Sequence, residues 1–153
     1  LLGDTFHDRK AEERLADDAR ARLTRLLAAV ETWTWILGNH DPAPPQGLGG
    51  RVAEEIYAGP LVLRHEPQAR PSAGEIAGHL HPAARVTVRG RSIRRRCFVT
   101  DGERLVMPAF GAYAGGLDVF DPALRDLFAP QFHAFMLGKA AVHAVSSKRL
   151  AGL

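Results

Sequence analysis

Four stretches place residues able to hold a cation or a phosphate at the ends of apolar runs: Gly3-Asp4, Gly38-Asn39-His40-Asp41, His65-Glu66-Pro67 and Gly78-His79-Leu80-His81. The runs that lead into them are Leu1-Leu2, Thr32 to Leu37, Leu61 to His65 and Glu75 to His79. Mixed imidazole, carboxylate and amide donors suit manganese, iron or zinc better than calcium or a copper–thiolate centre. In an open α/β sheet, ligands bind beyond the carboxyl ends of the strands, so polar residues there are the first functional candidates. A single histidine on an apolar strand reads more readily as structural. Four ligand-capable strand ends in succession ask for a common explanation.

The chain has room for the framework such a site needs. Its 153 residues read as one domain with a substantial core. Cys97 is the only cysteine, which excludes an internal disulfide and a cysteine-based zinc site and fits a reducing, cytoplasmic setting. No apolar run approaches the roughly 20 residues of a membrane helix, so no membrane partner is expected. A net charge of +3 permits an anionic partner without requiring one.

In order, Asp8 to about Val30 reads as an amphipathic covering helix capped by Asp8, with Leu15, Leu23, Leu26, Leu27 and Val30 mainly on one face. Its charges read as a solvated face. Asp41 to Gly50 is a Pro/Gly loop beside the second strand end. Arg51 to Tyr57 and Leu61 to His65 read as strands around Ala58-Gly59-Pro60. Arg85 to Arg89 and Ser92 to Thr100 form a hairpin through Gly90-Arg91, followed by a strand at Arg104 to Met107. Phe110 to Asp118 is a glycine-dense loop without phosphate-loop spacing. Asp121-Pro122 opens a short helix to about Phe128, and Phe132 to Leu137 with Ala140 to Val145 close a hairpin about Gly138-Lys139.

Taken together, Gly3-Asp4-Thr5-Phe6-His7-Asp8, Gly38-Asn39-His40-Asp41, His65 and Gly78-His79-Leu80-His81 resemble the motifs of calcineurin-like metallophosphoesterases, over essentially the whole chain. The resemblance implies an α/β fold, a β-sandwich flanked by helices in four α/β/β/α layers. It also implies two divalent metal ions, manganese first with iron or zinc as alternatives. Carried over by position, Asp4 would bridge both ions, Asn39, His65 and His79 would complete one site, and His81 would serve the other. His40 would contact the phosphate and aid the leaving oxygen. The nucleophile would be a metal-activated water. The family's initial Asp-x-His strand has no counterpart in this chain, and the expectation is that it is truncated at its N-terminus.

Gly-Asp-Thr-Phe-His carries His7 where phosphatases of the superfamily usually carry Asp, a form similar to double-strand-break repair nucleases, where such a His contacts the scissile phosphodiester. With His65-Glu66-Pro67, Gly78-His79-Leu80-His81-Pro82 and Pro108-Ala109-Phe110-Gly111-Ala112-Tyr113, the chain resembles the ligase-associated DNA damage response endonuclease (PdeM) group. That implies manganese-dependent cleavage of DNA, with a DNA ligase and a helicase as functional partners. Independently, Arg89, Arg91, Arg94 and Arg96 crowd one hairpin and are candidate substrate contacts, with Arg94 and Arg96 sharing a face by alternation. A charge-protected edge strand explains the same arginines equally well. Competing readings are a phosphodiesterase for small molecules such as cyclic nucleotides and, should the N-terminus be natively absent, a non-catalytic metal- or DNA-binding module. The oligomeric state is not legible.

Overall fold

Short apolar runs rich in β-branched and aromatic residues, separated by Gly and Pro, can only make short strands, and these must find partners far along the chain. A computed structural model describes residues 1–6, 12–43, 47–69, 73–112 and 114–152. The first unit is β1 (Thr34–Ile36), which buries Trp35 and Ile36 and pairs in parallel with β2 (Arg51–Ala53). On its other side, Leu2 forms a parallel bridge to Ile36, and the Ile36 amide donates to the Leu1 carbonyl at 3.0 Å. The expected first strand is therefore a stub alongside β1. Helix α1 (Asp17–Ala28) is the crossover between these two parallel segments.

The helix differs from expectation. Among the described residues it begins at Asp17, after a 3-10 turn at Glu12–Arg14, and its N-cap Ala16 provides no side-chain bond. Asp17 and Asp18 in its first turn favour this start by facing the positive end of the helix dipole. Asp8, the expected cap, lies outside the described residues, as does His7. The apolar stripe is narrow: Leu15, Leu23 and Leu27 are half-buried, while Leu26 and Val30 are exposed.

The second unit is a sheet built on β3 (Glu55–Ala58), β4 (Leu61–Arg64), β5 (Glu75–Ala77), β6 (Pro82–Val88), β7 (Arg91–Thr100), β8 (Arg104–Val106), β9 (Leu117–Asp118), β10 (His133–Leu137) and β11 (Val142–Ser146). Its main path runs β11-β10-β7-β8-β5-β4-β3. β5 is parallel to both neighbours, β4 and β8, so the carboxyl ends of those three strands point the same way. The long strand β7 pairs with β6 along its first half and with β10 and β8 toward its end. The core gathers there: Cys97 and Val99 are buried with Val106, Ala134, Met136, Leu124, Phe128 and Phe132. Burial pushes the Cys97 thiol up to about 12, which makes it packing rather than a nucleophile.

Three turns depart from the sequence reading. The expected strand at 51–57 divides at Glu54, with β2 pairing to β1 and β3 to β4. Val88 pairs with Arg91, so the hairpin turns on Arg89-Gly90, one residue earlier than expected. Both residues have positive φ, 50° and 74°, the backbone that matches the twist of a two-residue hairpin. Leu137 pairs with Val142, making the last hairpin a four-residue turn closed by the Gly138 amide on the Ala141 carbonyl at 2.9 Å. The second helix, α2 (Pro122–Arg125), is shorter than expected and is capped as expected, Asp121 accepting from the Ala123 amide at 2.9 Å.

One buried ion pair ties the parallel strands together at their amino ends. Glu75 and Arg104 are register partners in β5 and β8, and Glu75 Oε2 lies 2.6 Å from Arg104 Nε. Arg104 also donates to the carbonyls of Leu127, at 3.1 Å, and Gln68, whose amide donates to Glu75 Oε1 at 3.0 Å. Removing Arg104 leaves the buried Glu75 carboxylate with only the more distant Arg64 Nε, at 3.7 Å, and breaking a buried pair in this way costs about 3–5 kcal/mol. Arg104→Met is expected to lower stability by about that amount, read from urea unfolding, with Glu75→Leu in the same chain recovering much of the loss. An unchanged urea midpoint for Arg104→Met would contradict this role.

Candidate metal centre

The carboxyl ends of four segments meet, two in each of two parallel pairs. Leu2 leads into Gly3-Asp4, β1 into Gly38-Asn39-His40-Asp41, β4 into His65 and β5 into Gly78-His79. These turns are knitted together by backbone bonds. The Gly78 amide donates to the His65 carbonyl at 2.9 Å, and the amides of His40 and Asp41 donate to Asp4 Oδ1 at 2.8 and 3.2 Å. Asp41 in turn accepts from the Phe6 amide at 2.6 Å. One oxygen of Asp4 is thereby pinned by the turn after β1, and the other faces the histidines.

His65 is the centre of the cluster. Its Nδ1 lies 2.7 Å from the Leu2 carbonyl, and a carbonyl can only accept, so Nδ1 carries the proton. In the neutral ring Nε2 is then a lone pair, and around it stand Asn39 Oδ1 at 2.9 Å, Asp4 Oδ2 at 3.1 Å and His79 Nδ1 at 3.1 Å. Asp4, His65 and His79 form the group of potential ligands found among the described residues, with ligand atoms within 4.8 Å of one another. Acceptors about 3 Å apart are spaced as donors around a single first-row ion, whose bonds are about 2.0–2.2 Å. Asn39 Oδ1 and Asp4 Oδ2 can only accept, and with the His79 proton on Nε2 all four atoms present lone pairs, so this donor set fits a divalent metal. A carbonyl holding the far nitrogen of a ligand histidine is the usual device for fixing its tautomer and direction.

The geometry is strained in a way that depends on glycine. Among the described residues, the non-glycine residues with positive φ are Asp4 (46°), His79 (63°), His81 (49°) and Arg89, and the first three belong to this region. His79 sits in a three-residue γ-turn, the Leu80 amide donating to the Gly78 carbonyl at 2.7 Å. Left-handed backbone at such residues costs about 1–2 kcal/mol each, and strain of this kind clusters at functional sites. A Cβ on Gly3 would enter the His65 ring, and one on Gly38 would meet the Asp4 carboxylate.

Electrostatically, burial and the neighbouring His65 hold the His79 imidazole below its ordinary value. Glu66 and Asp4 oppose that shift, and His40 adds to it. His79 therefore favours the neutral form a metal ligand requires.

Of the residues singled out by sequence, Asp4, Asn39, His65 and His79 are brought together. His81 lies two residues beyond His79 and is not part of the group. Its carbonyl accepts from the Leu117 amide at 3.0 Å. His40 is exposed at the rim, its backbone on Asp4. The arginines are divided. Arg96 is bound to the loop carbonyls of Ala109, Gly111, Ala112 and Ala114, and Arg94 to that of Gly116. Arg89 and Arg91 are exposed at the hairpin tip, seven residues of β6 away from the site, or about 20 Å along an extended strand. Two features escaped the sequence reading, the Asp41 bond that ties the first loop down and the Leu2 carbonyl that aims His65. Neither a carbonyl's partner nor a turn's return direction leaves a residue-type signal.

A sheet-rich α/β framework with a cluster of cation ligands at its strand ends is a metallophosphoesterase-like fold. Among solved structures, this chain is similar to the Pseudomonas putida nuclease MPE, with a TM-score of 0.66 and 30% identity, covering 94% of this chain and 68% of that one. The chain belongs to the family of that nuclease. No protein-family model matches it, and no curated protein does.

Gly38 has an ordinary φ, and a Cβ there would meet both the carboxylate and the backbone nitrogen of Asp4, so Gly38→Ala tests the close approach of the two turns. The variant is expected to displace the Asp4 turn and to bind Mn²⁺ at least about tenfold more weakly than the parent, the loss typical of disturbing a metal-ligand support. Equal affinities by titration calorimetry would contradict the assignment of Asp4 as a ligand.

Proposed function

We propose that this protein is a metal-dependent phosphodiester hydrolase that cleaves DNA. The observation that carries the reading is the convergence of Asn39, Asp4 and His79 on His65 Nε2 at 2.9–3.1 Å, in a chain whose family includes a nuclease. Asp4, Asn39, His65 and His79 would hold a divalent cation, manganese first, with iron or zinc compatible with the same donors. Bound there, the ion supplies Lewis acidity and lowers the pKa of water, so the chain needs no serine or cysteine nucleophile.

The chain's own groups do the rest. The His40 and Asp41 amides hold the Asp4 carboxylate in place, and the Leu2 carbonyl keeps the His65 proton on Nδ1. His40, at the open rim, is assigned to contact the phosphate and deliver a proton to the leaving oxygen. His7 is assigned to the scissile phosphodiester. A dinuclear site would share Asp4 and use His81 for the second ion. Arg89 and Arg91 are assigned to phosphates further along the bound strand. Arg94 and Arg96 would then act through the loop they hold. Within this reading the protein is a single-domain member of the ligase-associated DNA damage response endonuclease group, a cytoplasmic DNA-repair enzyme working beside a DNA ligase and a helicase. Among the described residues no helix is long and apolar enough to cross a membrane.

The test is Mn²⁺-dependent cleavage of supercoiled plasmid and single-stranded DNA by the full-length protein, compared with His79→Ala and His40→Ala. Cutting is expected to vanish for His79→Ala and on metal removal, and to fall about 10²–10⁴-fold for His40→Ala. Turnover of a small chromogenic phosphodiester without DNA cleavage would replace the repair reading with the small-substrate one.

A further inference from the structure

Phe110 is the most exposed large apolar residue of the described chain, open to solvent over its whole side chain. Scattered apolar residues at a surface are ordinary, and Val30, Val52 and Val142 are of that kind. Phe110 differs in how it is held. It lies on the loop between β8 and β9, which a single guanidinium organises from within. Arg96 Nη1 donates to the carbonyls of Ala109 and Gly111, one on each side of Phe110, at 3.2 and 2.7 Å. Arg96 Nη2 donates to those of Ala112 and Ala114, both at 3.0 Å. Arg94 takes the carbonyl of Gly116. Five backbone carbonyls are thus fixed by two arginines of β7, and the phenyl ring is left pointing away from them into water.

Both feet of this loop stand on the segment that carries the site histidines. The Met107 amide donates to the Ala77 carbonyl at 2.8 Å, and the Leu117 amide to the His81 carbonyl at 3.0 Å. A flexible loop would let an exposed ring fold back onto the apolar surface. One pinned by its backbone keeps the ring presented to solvent from a loop anchored on either side of His79.

We infer that Phe110 is a stacking platform for an unpaired nucleobase next to the scissile phosphodiester, with Arg96 as its positioning residue. The inference rests on the nuclease reading and adds to it the residue that grips the substrate. Every base has a π-face, so a phenyl ring held this way binds DNA without regard to sequence. It also gives Arg94 and Arg96 a function that does not need either guanidinium to touch a phosphate.

Because Phe110 is fully exposed, Phe110→Ala removes no packing and is expected to melt as the parent does. The test compares kcat/KM on a single-stranded oligonucleotide with that on bis(p-nitrophenyl) phosphate. The ratio of the two is expected to fall roughly tenfold in Phe110→Ala, within the range of losing one stacked base. An unchanged ratio would overturn the inference. Phe110→Trp supplies a readout free of turnover: the same oligonucleotide, with binding followed by anisotropy, should quench its emission relative to the parent, which already holds Trp33 and Trp35. Bound oligonucleotide with no added quenching would overturn the stacking and leave the nuclease reading intact. A parent that cuts no DNA would overturn the nuclease reading, and the emission of Phe110→Trp would still decide the stacking.

Discussion

The site depends on one hydrogen bond, from His65 Nδ1 to the carbonyl of Leu2 at 2.7 Å. It joins the stub before Asp4 to the end of β4, two segments 63 residues apart in sequence. It also decides which nitrogen of His65 is a lone pair, and so aims that lone pair at the atoms of Asp4, Asn39 and His79 that could share a cation with it. Gly3 is required for this closeness, since any side chain there would occupy the space of the imidazole. The strained backbone at Asp4 and His79 follows from the same demand, because both must turn back toward His65 within one or two residues of their strands.

The rest of the fold makes that convergence affordable. Parallel pairing of β4, β5 and β8 lines up their carboxyl ends, and the Glu75–Arg104 pair locks their amino ends beneath. The long strand β7 carries the core on its second half and the loop-holding arginines on its first. One element thus connects the packed interior to the loop anchored at Ala77 and His81.

Much of the site was legible because its residues recur in one setting, a polar residue after a short apolar run. That pattern located Asp4, Asn39, His65 and His79 without any knowledge of pairing. It located His81 as well, which falls outside the group whose ligand atoms lie within 4.8 Å of one another. The arginine stripe was legible as charge but not as use: alternation put Arg94 and Arg96 on one face, and only the return of the 109–116 loop decides that carbonyls meet them. Helix α1 was overextended because the charged and apolar periodicity continues upstream of Asp17, where a 3-10 turn takes the place of helix. The shifted hairpin turn has a similar cause, since both Gly90-Arg91 and Arg89-Gly90 contain the glycine and only cross-strand register separates them.

The central claim is that the four strand ends meet in order to hold a divalent ion. Anomalous diffraction at the manganese edge from crystals soaked in Mn²⁺ tests it most directly. The account predicts a peak bounded by His65 Nε2, His79 Nδ1, Asn39 Oδ1 and Asp4 Oδ2, at about 2.0–2.4 Å from each, as first-row ions bind such donors. Manganese bound elsewhere, with His65 remaining within hydrogen-bond distance of Asp4 and Asn39 and no density between them, would contradict it.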